Sequence, residues 1–445
     1  MDKKIYCIGN AHLDPVWLWR WQEGLAEVKA TFRSALDRMN EFPEYIFTSA
    51  CSVYYMWIEK SDPKMFKEIQ QRVKEGRWQL VGGQFIQPDC NIPCGESLAR
   101  HSLVSQRYFK EKFGVTAKTG YNVDSFGHNG NLPKILKNSG MDNYVFMRPM
   151  PNEKQLPQSL FDWESMDGSK VRTFRVPKSY CISTATFNIF KEIDEMDEKT
   201  DMMAFYGIGN HGGGPTIELL DKMKRELGDN YVYSGPNEYF DAVADIEVPT
   251  VKDELQFHAK GCYSANSKVK ADNRLAENSV LSTEAYSVLS NYLADTEYPK
   301  AEIDRAWMNI LFNQFHDIVA GCCIKEGCDD AAISYGETLN LSRWNTNFAL
   351  QQISWNIDTM DGKELKPYKD RKLVGAIWKN DDNIGVPIVV FNPLAFPVKA
   401  IVALRDLADY ITDKDGNIVP TQTVRDSKTN EEQKYATAFE AEVPA

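Results

Sequence analysis

The chain has 445 residues, a hydrophobic fraction of 43%, a charged fraction of 26% and a formal net charge of −12 at pH 7. These values are typical of a globular protein with two or three domains, and the acidic balance argues against a nucleic-acid or anionic-membrane partner. Because no run of about 18 apolar residues occurs, we expect no membrane-spanning helix. The start of the sequence has no long apolar core, so we predict no secretion signal and a cytoplasmic protein whose nine cysteines are reduced.

Short apolar segments alternate with helical segments over roughly the first 250 residues. Residues 62–76 and 133–140 are predicted helices, and the second ends at a glycine. This alternation predicts an α/β fold with a parallel sheet, open or closed into a barrel, and catalytic groups at the carboxyl ends of its strands. The number of strands favours a barrel-like β/α domain. The predicted strands are residues 4–9, 45–50, 78–83, 119–127, 143–148, 171–176 and 202–209.

The pattern changes twice after this domain. Residues 265–355 carry helical periodicity with few breaks and predict a helical bundle. The segments 386–404 and 434–445 read as strands punctuated by proline and Asn-Pro. We therefore predict three parts, the last of which is the start of an unfinished β-sandwich region. Their limits are residues 1–262, 263–360 and 361–445.

His12 and Asp14 follow the first predicted strand. Their spacing of two residues places both side chains on the same side of an extended chain. An imidazole and a carboxylate at the rim of a β/α domain suit a divalent metal. A polar pair that is hydrogen-bonded to the backbone is the alternative.

Three further polar residues lie in apolar surroundings. Asp124 stands at the end of a predicted strand and is a candidate ligand or nucleophile, or else a helix cap. His128 follows it as a candidate ligand or as a donor to one. His316 interrupts an apolar helical run, so it needs a hydrogen bond or a metal, and the local pattern alone favours a hydrogen-bonded core histidine.

The segment YGIGNHGGGPT at 206–216 has five glycines in eleven residues, which allows close backbone approach. It lacks both the P-loop and the dinucleotide-binding patterns. We interpret it as a substrate loop that carries His211, with a simple tight turn as the alternative. The pair in CNIPC at 90–94 has no second pair nearby, so we expect no zinc there.

Several of these stretches, taken in order, resemble the α-mannosidases of glycoside hydrolase family 38. A further segment, FNPLAFP at 391–397, resembles the start of the β-region in that family. The resemblance implies a (β/α)7-type barrel, then a helical bundle, then β-sandwich domains. The stretches that carry it are HLDPVW (12–17), GGQFIQPDCNIPCGESLAR (82–100), NVDSFGHNGNLPKILKNSG (122–140), GNHGGGPT (209–216), ELQFHAKGCYSANSKVKADNRLAE (254–277) and NQFHDI (313–318).

The resemblance also implies a zinc-dependent retaining α-mannosidase that acts on terminal mannosyl residues. Asp124 would be the nucleophile that forms a glycosyl-enzyme, and a second carboxyl would act as acid and then as base. One zinc ion would be bound by His12, Asp14, Asp124 and His316. The expected substrate contacts are Trp17, Phe126, Arg148, Tyr180 and Asp317.

The second catalytic group departs from the family pattern, because some relatives carry an aspartate where this chain has Asn210. His211 is a candidate acid and base, since an imidazole titrates near neutral pH. Asp317 and Glu254 are the alternatives. Two rival functions stay open, a zinc-dependent carbohydrate deacetylase and a sugar-binding fragment with little turnover. The resemblance is compatible with α-1,2-, α-1,3- and α-1,6-linked mannosides and with mannosylglycerate as substrates. A homodimer is one possible assembly of the chain.

Overall fold

The computed structural model describes residues 3–359, 362, 385–404, 407–426 and 434–444. Contacts divide the chain into two compact units, which are residues 1–280 with 301–341 and residues 281–300 with 342–445. The domain limits predicted at residues 262 and 360 stay a prediction. Part of the predicted third region, including most of 360–384, lies outside the described residues.

The first sheet of the first unit is built around the strand predicted at residues 4–9. This strand, β1, is buried along its whole length, as expected for a parallel strand covered on both faces. It pairs in parallel with β2, β8 and β9, and β3 pairs in parallel with β2. The strands are β1 (Ile5–Ala11), β2 (Phe47–Ser49), β3 (Trp78–Leu80), β8 (Met202–Ile208) and β9 (Tyr231–Ser234).

The second sheet has the strand order β10, β6, β7, β5, β4 and contains one antiparallel pair, β6 with β7. One face of this sheet packs aromatic side chains such as Tyr144 and Trp163 against Leu132 and Leu136 of a neighbouring helix. Three short strands, β6, β9 and β10, were not among the predicted strands. The members of this sheet are β4 (Thr119–Asn122), β5 (Asn143–Phe146), β6 (Leu160–Glu164), β7 (Lys170–Arg175) and β10 (Thr250–Val251).

Helices follow most of the strands of these sheets along the chain, and they make up most of residues 267–355. The predicted helix at 62–76 is confirmed as α3, whose start combines a proline with the Asp62 side chain, which accepts a hydrogen bond from the Met65 N–H. The helices are α1 (Trp21–Glu41), α2 (Ser52–Ser61), α3 (Pro63–Lys74), α4 (Gly95–Phe113), α5 (Leu132–Asn138), α6 (Ile189–Asp194), α7 (Ile217–Glu226), α8 (Pro236–Ala242), α9 (Ser267–Ala294), α10 (Lys300–Asn313), α11 (His316–Val319) and α12 (Lys325–Trp355). None of the described helices is long and apolar enough to cross a membrane.

The second unit contains the antiparallel strands predicted near the end of the chain. The predicted strand at 386–404 begins only at Val398, because the prolines at 387, 393 and 397 lack the N–H that a ladder requires. The sheet order is β11, β15, β14, and β12 pairs with β13. These strands are β11 (Val398–Leu404), β12 (Ile411–Thr412), β13 (Ile418–Val419), β14 (Thr421–Arg425) and β15 (Tyr435–Val443).

Gly207 brings the end of β8 close to the end of β1. Its φ is +133°, and a Cβ at this position would lie 1.9 Å from the Asn10 carbonyl oxygen. Because an L side chain fits neither the dihedral nor the space, glycine is required here. The glycine-rich loop therefore leaves β8 directly beside the segment that carries His12 and Asp14.

Candidate functional site

Four side chains from distant parts of the chain meet in the first unit. His12 and Asp14 follow β1, Asp124 follows β4, and His316 is the first residue of α11. Each offers one ligand atom, and these atoms all lie within 4.8 Å of one another. His12 Nε2 lies 2.9 Å from Asp14 Oδ1 and 3.7 Å from Asp124 Oδ2, and His316 Nε2 lies 3.8 Å from Asp14 Oδ1. No other group of three or more metal-ligating side chains in the described part of the chain is this compact.

The polar atoms of this cluster lack hydrogen-bond partners of suitable geometry. His12 Nε2, Asp14 Oδ1 and His316 Nε2 are buried, and none of the three makes a hydrogen bond. His316 Nδ1 donates to the Gln87 carbonyl at 2.9 Å, so the lone pair of Nε2 points at the cluster. Buried polar atoms are nearly always satisfied, and a cation would satisfy these. Two imidazoles and two carboxylates are a donor set that suits zinc.

A buried polar network holds the turn that presents His316. Gln314, between α10 and α11, donates from Nε2 to Glu277 Oε1 at 2.8 Å and to Asn273 Oδ1 at 2.9 Å. Its Oε1 lies 3.1 Å from His101 Nε2. Because all of these groups are buried, the turn has few alternative conformations that keep them paired. The network therefore restricts the conformation of the turn that carries His316.

Burial and the neighbouring charges set the directions of the pKa shifts in this site. Burial raises the pKa of Asp14. Burial also acts to raise the pKa of Asp124, but the charges of His12 and Arg148 outweigh it and hold that pKa below the ordinary value. Burial lowers the pKa of His316, which keeps the imidazole neutral and able to bind a metal. These pKa shifts therefore favour an ionised Asp124 beside the positive charge of Arg148.

Asp124 has further partners at its two oxygens. Arg148 Nε donates to Asp124 Oδ1 in a close ion pair. The Tyr180 hydroxyl lies 3.3 Å from Asp124 Oδ2 and 3.0 Å from Asn210 Oδ1, and the Tyr180 ring contacts the His12 ring edge-on. Arg148 and Tyr180, both predicted as substrate contacts, thus lie directly on the candidate nucleophile.

The contacts shown for the other predicted substrate-binding residues are with groups other than Asp124. The Phe126 ring packs edge-on against His316. Asp317 is buried behind the cluster, accepts a hydrogen bond from the Cys322 thiol at 2.9 Å, and burial raises its pKa to about 6. Trp17 is half-buried and its ring packs edge-on against Trp19. These positions leave the predicted roles of Phe126, Asp317 and Trp17 as predictions.

His211 is separate from the four-residue cluster. Its Nε2 lies 2.9 Å from Glu23 Oε1, its Nδ1 lies 3.7 Å from Glu27 Oε2, and its ring packs on Trp19. The side chain is 47% exposed, so it lies at the protein surface. Its neighbour Asn210 ties the loop to the cluster, because the Asn210 carbonyl accepts a hydrogen bond from the Asp14 N–H at 2.8 Å.

Two family profiles match this sequence. The glycosyl hydrolases family 38 N-terminal domain matches residues 2–259, and the alpha mannosidase middle domain matches residues 256–353. The chain belongs to glycosyl hydrolase family 38. The predicted family resemblance is therefore confirmed over the part of the chain that carries all four cluster residues.

Individual proteins that are similar to this family 38 chain are named as alpha-mannosidases. Alpha-mannosidase 2C1 of Homo sapiens is 30% identical over 345 residues, which are 74% of this chain and 33% of that protein. The alpha-mannosidase of Saccharomyces cerevisiae is 29% identical over 346 residues, or 72% and 32% of the two chains. The chain thus spans about a third of the length of these curated relatives. The crystal structure of an alpha-mannosidase from Enterococcus faecalis V583 has a TM-score of 0.76 at 17% identity, covering 100% of this chain and 55% of that one, and it confirms the predicted fold.

Three residues of this family 38 site were not singled out by the sequence. Gln87 fixes His316 through its carbonyl, and its amide lies 3.3 Å from His12 Nδ1. His258 and Glu153 lie behind Arg148. Gln87 and His258 do fall inside stretches that carry the family resemblance, which is the only signal for them. Glu153 falls in none of those stretches.

His128 supports the site without being a ligand, because both ring nitrogens are occupied. Its Nε2 donates to the Arg148 carbonyl at 2.9 Å, and its Nδ1 accepts from the Tyr144 hydroxyl at 2.8 Å. Burial lowers the pKa of His128 from 6.5 to about 4. The unfolded chain therefore binds a proton at a higher pH than the folded chain does, and folding stability is lost as the pH falls from about 6.5 to about 4.

Acidification from pH 7 to pH 5 is expected to cost about 2 kcal/mol of unfolding free energy through His128. Urea unfolding at pH 7, 6 and 5 measures this loss. The variant His128→Asn should show a correspondingly shallower pH dependence, whatever its stability at pH 7. His101, whose pKa burial lowers to about 3, keeps its own contribution in both proteins. Equal slopes for the wild type and the variant would contradict the assignment.

Proposed function

We propose that this protein is a zinc-dependent retaining α-mannosidase that releases terminal α-D-mannosyl residues from oligosaccharides or from a small mannoside such as mannosylglycerate. One observation carries the proposal: Asp124 belongs to the compact His and Asp cluster and is at the same time paired with Arg148. A buried, ionised carboxylate with one oxygen anchored is suited to nucleophilic attack. The names of the human and yeast relatives support mannosides as the substrate class.

The metal would be held by His12, Asp14, Asp124 and His316, and when bound it would supply Lewis-acid stabilisation of substrate oxygens. The chain's own residues account for the remaining steps. Asp124 attacks the anomeric carbon as the bond to the aglycone oxygen breaks, and the general acid protonates the departing aglycone. Water then hydrolyses the resulting glycosyl-enzyme ester, which releases mannose with overall retention of configuration. Arg148 keeps the carboxylate ionised and oriented before the attack. Tyr180 lies beside the second oxygen of Asp124 and limits its rotation.

Substrate recognition would use groups around this carboxylate. Trp17 and Phe126 would line the subsite for the terminal mannose, since aromatic faces pack on the apolar face of a sugar. Asp317 would accept hydrogen bonds from sugar hydroxyls. The nine cysteines are all free, which supports a cytoplasmic location. We also propose that the chain forms a homodimer, which light scattering would detect.

His211 is our proposed proton donor, with Asp317 and Glu254 as the alternatives. Its loop is joined to Asp14 through Asn210, and Glu23 orients its imidazole. We expect His211→Ala to slow hydrolysis of mannobiose, which has a poor leaving group, by roughly 10²-fold or more. Hydrolysis of 2,4-dinitrophenyl α-mannoside, which needs no protonation, should change by less than about tenfold. An equal loss on both substrates, or none, contradicts the assignment, and Asp317→Asn and Glu254→Gln then undergo the same comparison.

Metal analysis combined with product stereochemistry tests the proposed function. The purified chain is assayed for bound zinc and for hydrolysis of α-1,2-, α-1,3- and α-1,6-mannobiose and of mannosylglycerate, and proton NMR records the first anomer released. We expect one zinc per chain and an α-anomer as the first product. A β-anomer, no zinc, or release of acetate from an acetylated sugar instead of mannose would contradict the proposal. Zinc and sugar binding without turnover would contradict the proposed activity of this chain and would favour the alternative of a sugar-binding fragment.

A further inference from the structure

A chain of four polar groups leads from the edge of the site to the candidate nucleophile. Glu153 Oε1 lies 2.7 Å from His258 Nδ1, His258 Nε2 lies 2.9 Å from an Arg148 terminal nitrogen, and Arg148 Nε pairs with Asp124. The proposed reaction as described above uses Arg148 and Asp124. It leaves Glu153 and His258 without a role.

The identity of the donors decides where the proton of His258 lies. A guanidinium has only N–H donors and no acceptor, so Nε2 of His258 must accept the bond from Arg148. The proton of a neutral imidazole is then on Nδ1, and it is donated to the Glu153 carboxylate. A protonated imidazole would place a donor against a donor. The contacts therefore require one tautomer of His258.

Two further hydrogen bonds hold the backbone of His258 and the second carboxylate oxygen of Glu153. The backbone N–H of His258 donates to the Phe126 carbonyl at 3.0 Å, which joins the histidine to the segment that carries Asp124. Glu153 Oε2 accepts a hydrogen bond from the Met150 N–H at 2.7 Å. The imidazole therefore cannot turn without breaking contacts on two sides. This arrangement is the one in which a carboxylate orients a histidine and the histidine orients the next group.

We propose that His258 is a positioning residue of the glycosidase reaction: it holds the Arg148 guanidinium against Asp124, and Glu153 selects the tautomer that makes this possible. The inference rests on the proposed function. Arg148 anchors Oδ1 of Asp124 and leaves Oδ2 facing the cluster. Loss of the acceptor behind Arg148 frees the guanidinium to rotate, so the carboxylate is no longer aimed at the anomeric carbon.

Three variants separate positioning from simple packing. His258→Leu removes the acceptor, His258→Gln keeps an acceptor near the position of Nε2, and Glu153→Gln keeps the shape of the glutamate but removes the charge that selects the Nδ1–H tautomer. Asp253→Asn is the matched control. It makes the same change in charge on a nearby carboxylate whose cationic partner is Lys154.

We expect His258→Leu to lower kcat for 4-nitrophenyl α-mannoside by roughly 10²-fold, because a misplacement of about 1 Å costs that much. Glu153→Gln should lower kcat by roughly tenfold, while His258→Gln and Asp253→Asn stay within about threefold of the wild type. KM and the zinc content should be unchanged in all four variants, since the ligand residues are intact. A wild-type kcat in His258→Leu, or a His258→Gln variant as slow as His258→Leu, would overturn the proposal.

A measurement independent of turnover completes the test. Histidine-selective ¹⁵N NMR of the full chain, assigned with the His258→Gln variant, should show an unprotonated Nε2 and a protonated Nδ1 for His258 in the wild type. Glu153→Gln should reduce the population of that tautomer. A protonated Nε2 in the wild type overturns the positioning role. If the wild type hydrolyses no mannoside, the proposed function has failed, and the NMR result still decides whether His258 holds Arg148.

Discussion

Replacement of Asp124 by asparagine is expected to abolish hydrolysis of α-mannosides, with kcat falling by roughly 10⁴-fold or more. The amide cannot form the glycosyl ester, and it cannot pair with Arg148 as a charge. The substitution also removes one of the carboxylates of the metal cluster, so it acts on two functions at once. Asp124 is the one residue of the proposed site that would serve both as the nucleophile and as a ligand.

A labelling experiment isolates the nucleophilic role of Asp124. A ring-fluorinated mannosyl fluoride should inactivate the wild type: fluoride leaves the anomeric carbon, and one fluoromannosyl group is added to the peptide that contains Asp124, as read by mass spectrometry. Asp142→Asn provides the control, because Asp142 is an exposed carboxylate paired with Lys137. The control should be labelled at the wild-type rate. A label on another residue, or activity that survives in Asp124→Asn, would remove Asp124 from the mechanism.

Replacement of His316 by alanine is expected to weaken zinc binding by about 10²-fold or more and to reduce activity to background at limiting zinc. The imidazole is buried, its Nδ1 is held by the Gln87 carbonyl, and its Nε2 has no hydrogen-bond partner, so a metal is the group that its loss would affect. Zinc bound to the folded chain should stabilise the wild type by about 4 kcal/mol at a free concentration 1,000 times Kd. At the same zinc concentration, a 10²-fold or greater loss of affinity should reduce this stabilisation to about 1.4 kcal/mol or less in His316→Ala.

Thermal unfolding with and without zinc, after removal of metal by a chelator, measures the effect. His211→Gln is the control, because His211 is separate from the four-residue cluster and its Nε2 lies 2.9 Å from Glu23 Oε1. That variant is expected to keep the zinc-dependent rise in Tm even if its baseline stability is lower. If His316→Ala gains as much stability from zinc as the wild type does, the cluster is not the metal site.

Local sequence patterns predicted the elements well where burial is uniform. The apolar run at 4–9 predicted β1, and the capped segment at 62–76 predicted α3, because side-chain periodicity and capping are properties of adjacent residues. The strands β6, β9 and β10 were missed: two of the five positions in β6 are acidic, β9 is only partly buried, and β10 has two residues. The strand predicted from residue 386 began late, because the proline spacing outweighed the apolar composition.

The sequence by itself determined the family, the positions of His12, Asp14 and Asp124 at strand ends, and the absence of an aspartate at Asn210, because each is a statement about neighbouring residues. Only the tertiary structure shows that His316 meets the other three residues of the cluster, because its local pattern favoured a hydrogen-bonded core histidine. The hydrogen bond that orients its ring, from Nδ1 to the Gln87 carbonyl, joins residues 229 positions apart. The same holds for His258, which meets Arg148 from 110 positions away. Such contacts depend on how strands and helices pack together, and no spacing within one element encodes them.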